Sequence, residues 1–137
     1  MNEANIVPLL EEVRNTILEH AGERIAFIAV FGSRAREEAH SLSDTDIAIK
    51  TNIEDSVARG ELRMRLNSVL SGPKMRVDIV FVEDLDWEFK YRIARDGTVL
   101  LNRNDSWEEF VESVIKYYPD YHVFFSKLLD QSIRRKI

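Results

Sequence analysis

A chain of 137 residues with 45% hydrophobic and 31% charged side chains has the makings of one globular domain, spanning 1–137, and is too apolar for disorder. Its net charge of −5 argues against direct nucleic-acid binding, which needs a basic footprint, and suits a partner with basic surface. With no cysteine it has neither disulfides nor thiolate metal sites. The first residues, Met1-Asn2-Glu3-Ala4-Asn5, lack the basic and apolar regions of a signal peptide, and no apolar run reaches membrane-spanning length, so a cytoplasmic location is expected.

In chain order, Ile6 to His20 has the periodicity of an amphipathic helix, with Pro8 tolerable only in its first turn and Ala21-Gly22 ending it. Ile25 to Phe31 is a continuous apolar run of central-strand length. Arg34 to Ala39 reads as a short helical turn, and Leu42 to Lys50 as a turn followed by a strand centred on Ile47. A second helix runs from Asp55 to Leu70, with Val57, Leu62, Leu66, Val69 and Leu70 apolar, and Ser71-Gly72-Pro73 breaks it. Met75 to Val82 is another strand, Leu85 to Arg95 a short helix, and Thr98 to Leu101 a brief edge strand. Asp105 or Ser106 is placed to cap a last helix from Trp107 to about Arg135, kinked or split at Pro119. Its first half should pack on the sheet. The second half, Tyr117 to Leu129, is apolar around much of its circumference and suits either further packing or a protein interface. The expected fold is α/β: a small mixed sheet with packed helices and a C-terminal helix.

The chemistry concentrates between Gly32 and Asp78. In Ser43-Asp44-Thr45-Asp46 the two acids are two apart on a strand, so they project from one face, while Thr45 and Ile47 face the other way. Carboxylates held roughly 7 Å apart at Cα repel unless a cation joins them. An all-oxygen ligand set favours Mg²⁺, with Mn²⁺ also suitable. Asp78 interrupts Val77-Asp78-Ile79-Val80-Phe81, a run that reads as buried on both faces, where an unpaired acid is costly. Asp44, Asp46 and Asp78 together could hold two Mg²⁺ ions for in-line phosphoryl or nucleotidyl transfer.

Gly32-Ser33 follows the apolar strand and precedes a helical turn, the order of a phosphate cradle. Glycine lets the backbone approach a ligand, and Arg34 and Arg36 are candidate phosphate contacts. Taken alone, this is also an ordinary strand-to-helix turn. Arg76 alternates onto the face of Asp78 and either balances the carboxylates, touches phosphate or is a plain surface cation. Lys50 shares the face of Asp44 and Asp46, further along the strand. His20, His40 and His122 are too scattered for a metal triad.

Gly32-Ser33, ten intervening residues, Asp44-Thr45-Asp46 and then Asp78 on the next strand resemble the polymerase-beta-type nucleotidyltransferase superfamily. The short length is similar to its minimal nucleotidyltransferase (MNT) branch, and the spacing to MNT antitoxins paired with HEPN toxins. The resemblance implies that Gly32 and Ser33 bind the triphosphate of ATP. It also implies that Asp44 and Asp46 ligate both metals, and that Asp78 helps hold the catalytic metal and activates the acceptor hydroxyl. AMP would go to a tyrosine of a HEPN-type RNase toxin. So small a chain has little room for an acceptor-binding domain, so the acceptor arrives as another protein or a second copy, as in a homodimer, completes the site. Two other outcomes stay open: an antitoxin that neutralises by binding alone, and a nucleotidyltransferase acting on an aminoglycoside-like hydroxyl.

Overall fold

A computed structural model describes residues 3–32, 45–72 and 76–117, with side chains from residue 9 onward. In chain order they form α1 (Glu3–Ala21), β1 (Ile25–Phe31), β2 (Thr45–Thr51), α2 (Ser56–Leu70), β3 (Val77–Phe81), α3 (Trp87–Asp96), β4 (Thr98–Asn102) and α4 (Ser106–Tyr117). Single 3₁₀ turns lie at Gly22–Arg24 and Val82–Asp84. The sheet order is β3-β2-β1-β4. β1 runs antiparallel to both β2 and β4, whereas β2 and β3 are parallel and joined through α2. The sheet is therefore mixed, as expected.

Helices cover both faces. On one, Val13 and Ile17 of α1 and Leu62 and Leu66 of α2 pack against Ile28, Val30, Ile47, Ile49 and Ile79. On the other, Ile93 of α3 and Trp107, Val111 and Val114 of α4 cover Phe27, Ala29 and Ala48. Phe27 meets Trp107 edge to face, with ring centroids 5.1 Å apart. The alternation of a strand thus feeds two apolar layers, which is why β1 and β2 read as unbroken hydrophobic runs. The first part of the expected last helix packs on the sheet. Its continuation past Tyr117, with Pro119, lies outside the described residues, as does the expected turn at Arg34 to Ala39.

Local chemistry sets the element ends. Asp55 is the cap of α2 rather than its first residue, its carboxylate accepting the Val57 amide at 3.1 Å. Asp86 does the same for α3, accepting the Phe89 amide at 2.8 Å, so that helix starts later than its apolar pattern suggested. At α4, where Asp105 or Ser106 was expected to cap, the side-chain oxygen of Asn102 takes the Trp107 amide at 3.1 Å. α1 begins at Glu3, three residues earlier than expected, and so carries Pro8 in its second turn. Of the apolar residues assigned to α2, Leu62, Leu66 and Leu70 are buried but Val57 and Val69 are exposed.

Two polar clasps tie the far ends of β2 and β3 together. Glu83 accepts hydrogen bonds from the amide and the hydroxyl of buried Thr51, the amide bond measuring 3.1 Å. Arg59 of α2 donates to the carbonyls of Ile53 and Glu54, at 2.8 and 2.9 Å, and pairs with Asp84. The hydrogen bond that it donates to Asp84 raises the guanidinium above its ordinary pKa, against a smaller opposing effect of desolvation. No helix among the described residues is long and apolar enough to cross a membrane.

Candidate active site

The near end of the sheet brings three of the expected residues together. Phe31, the last residue of β1, is the cross-strand partner of Asp46, and Gly32 follows it. On the other side of β2, Asp46 is in register with Asp78 of β3. Residues in register on neighbouring strands put their side chains on the same face, with strands about 4.8 Å apart. Asp46 and Asp78 thus stand beside each other on the α3/α4 side of the sheet. Thr45 and Ile47 turn the other way into the layer under α1 and α2, and both are fully buried. The alternation argument therefore holds for Asp46.

Gly32 has φ +79°, in the left-handed region that disfavours a side chain. A Cβ built there would stand 2.7 Å from the Asp46 Oδ2 atom. This glycine is thus required twice, once by the turn and once by the carboxylate packed against it. The turn ends β1 where a phosphate cradle would begin.

The burial argument for Asp78 does not hold. Val77 and Ile79 are buried, but Asp78 itself is exposed. β3 is the outermost strand on this side, so the apolar run does not have a covered face at Asp78. The residue is a solvent-reaching carboxylate at the mouth of the site. Arg76 is also exposed, and among the described residues it holds no ion pair. Its carbonyl accepts the Thr45 amide at 3.1 Å, which extends the parallel ladder by one step and keeps Arg76 in phase with Asp78.

Lys50 shares the face of Asp46 but not the site. Four residues further along β2, about 13 Å, it lines a cleft of about 250 Å³ with Glu83, Lys90, Glu109 and Phe110 at the opposite end of the sheet. The structure adds an aromatic neighbour that the motif reading passed over. Phe31, the cross-strand partner of Asp46, meets Phe89 of α3 edge to face at 5.8 Å. Its only sequence signal was the position of Phe31 directly before Gly32.

Asp44, Ser33, Arg34 and Arg36 lie outside the described residues, as do His40 and His122. Among the described residues no three metal-ligating side chains come together. The donor set that is placed fits a hard cation. Asp46 and Asp78 offer carboxylate oxygen only, in register, with neither sulfur nor imidazole beside them on their strands.

A mixed sheet that presents acids from adjacent parallel strands beside a glycine turn is the architecture of a nucleotidyltransferase. The chain belongs to that family: residues 11–106 match the family model described as "Polymerase beta, Nucleotidyltransferase". No curated protein matches the chain. Solved structures do. One is a toxin–antitoxin crystal structure with AMP-PNP, at 24% identity and TM-score 0.64, covering 90% of this chain and 98% of that one. Another is the toxin–antitoxin MntA-HepT, at 23% identity and TM-score 0.60, covering 92% and 98%. A third is the tri-AMPylated Shewanella oneidensis HEPN toxin in complex with MNT antitoxin, at 22% identity and TM-score 0.58, covering 90% and 98%. At these identities the likeness is one of fold.

Proposed function

We propose that this chain is the antitoxin of a toxin–antitoxin pair and transfers AMP from ATP to a tyrosine hydroxyl of a HEPN-type RNase toxin. The observation that carries the reading is the register of Asp46 with Asp78 beside the Gly32 turn. Family membership supports nucleotidyl transfer as the reaction class. The fold-level neighbours, one bound to AMP-PNP and one in complex with an AMPylated toxin, support ATP as donor and a protein as acceptor.

In this reading Gly32 and Ser33 hold the triphosphate, with Arg34 and Arg36 on its charge. Asp44, Asp46 and Asp78 would hold two Mg²⁺ ions, which supply charge neutralisation at the phosphates. The phenolic oxygen attacks the α-phosphorus in line. A phosphorus–oxygen bond forms to the tyrosine as the bond from the α-phosphorus to the bridging oxygen breaks. Pyrophosphate leaves with that electron pair, and Asp78 takes the phenolic proton. Most of the rate enhancement comes from positioning and preorganised charge.

Intact-mass spectrometry of a HEPN-type partner co-expressed with this chain tests the reading. A gain of one or more adenylyl groups, absent with Asp46→Asn, supports transfer. An unmodified partner that is nevertheless neutralised and co-purifies would replace it with neutralisation by binding alone.

A further inference from the structure

Asp78 is exposed, so its place is set by the strand that carries it rather than by packing of its own side chain. That strand, β3, has five residues and joins the sheet through β2 alone, in a parallel ladder. Parallel pairing is slightly the weaker kind per residue. The far end of β3 is clasped twice, by Thr51 with Glu83 and by Arg59 with Asp84. At the near end the Thr45 amide ties the inner edge to the Arg76 carbonyl. On the outer edge, directly beside the acid, the Ile79 amide donates to the side-chain oxygen of Asn67 in α2 at 3.1 Å.

Resting on the transferase reading, we infer that Asn67 is a positioning residue for Asp78. It acts through the backbone and touches neither substrate nor metal. The Ile79 side chain is buried in the layer under α1 and α2, whereas Asp78 stands on the α3/α4 side. Asn67 thus grips β3 from the face opposite the acid, at the very next residue. Without that bond, the register of Asp78 with Asp46 rests on the β2 ladder and on the burial of Val77 and Ile79. A shift of residue 79 carries its neighbour with it, and a metal site shared by two carboxylates depends on their spacing. Asparagine is a poor helix former, so its place in the last turn of α2 reflects this bond rather than helix propensity.

The test measures metal affinity beside transfer, on the full chain. Mn²⁺ titrated into the chain with AMP-PNP, followed by electron paramagnetic resonance, reads the site without turnover. Asn67→Leu removes the acceptor and keeps the bulk. It should weaken Mn²⁺ binding about tenfold, the scale of losing a group that orients a metal ligand. Adenylyl transfer to a HEPN-type partner, per folded molecule, should fall by a similar factor. Asn67→Asp, whose carboxylate also accepts the amide, should keep both near wild type. Thr51→Val, which loosens the far end of the sheet, should change neither. Asn67→Ala gives the same reading if Asn67→Leu does not fold. Wild-type Mn²⁺ affinity and rate in the Leu or Ala variant would overturn the inference, as would failure of both to fold, which would make the bond purely structural. Equal losses in Asn67→Asp or Thr51→Val would also overturn it, by marking a general loosening. A wild-type chain that binds neither Mn²⁺ nor AMP-PNP would strike at the transferase reading itself, and this inference would fall with it.

Discussion

The carboxylate of Asp46 lies against Gly32 so closely that the glycine's missing side chain is part of the site: a Cβ there would be 2.7 Å from Oδ2. Gly32→Ala should therefore impair function more than stability. The left-handed φ costs roughly 1–2 kcal/mol for alanine, whereas an acid displaced by about 1 Å costs on the order of a hundredfold in rate. Thermal melting beside a pyrophosphate-release assay should show a modest drop in the first and a large one in the second. Near-normal turnover would mean that Asp46 needs no such fit.

Asp46→Asn and Asp78→Asn should each abolish adenylyl transfer, and Asp78→Asn, at an exposed position, should leave the fold as stable as wild type or more so. The two carboxylates share one face in register, and each loses a repulsive neighbour when the other is neutralised. Chemical denaturation in metal-free buffer is the measurement. A marked destabilisation of Asp78→Asn would show that this acid is a structural partner instead.

Two glycines should respond to alanine in opposite directions. Gly60 sits exposed inside α2 with nothing within 4 Å of a built Cβ, so Gly60→Ala should stabilise by about 0.5–1 kcal/mol. At Gly97 the same atom would meet the Ile93 carbonyl at 2.6 Å and Trp107 Cη2 at 3.0 Å, and Gly97→Ala should destabilise by about 1–3 kcal/mol. Urea melts of the pair decide it. Equal effects would contradict the packing of α3 against α4.

Thr51→Val removes the hydroxyl that Glu83 accepts and leaves that carboxylate with the backbone amide. Loss of a half-buried charged hydrogen bond should cost about 1–3 kcal/mol. Transfer activity per folded molecule should not change, because the clasp lies at the opposite end of β2 from Asp46. An equal loss of activity would tie the two ends of the strand together.

Much of this was legible before the structure because strands and acids follow short rules. The apolar run at Ile25 to Phe31 gave β1 at its observed bounds, and alternation placed Thr45 and Ile47 opposite Asp46. Helix ends were less legible, because Asp55, Asp86 and Asn102 set them through side-chain bonds to amides, which periodicity does not register. Asp78 shows the limit most clearly. Its neighbours are as apolar as those of a central strand, yet β3 lies at the border of the sheet and leaves the acid in solvent. Strand order is a long-range property, and no local pattern around residue 78 encodes it. That Gly32, Asp46 and Asp78 belong on strands or strand ends was legible; their order across the sheet was not.

The parallel pairing of β2 with β3 has a consequence for how the protein is made. β1 and β2 are consecutive strands, whereas β3 pairs with β2 only across the whole of the intervening α2. The second acid of the register pair is therefore absent from any nascent chain still inside the ribosome at Asp78. A chain that ends before β3 thus lacks one of the two register-paired carboxylates on which the proposed transfer depends.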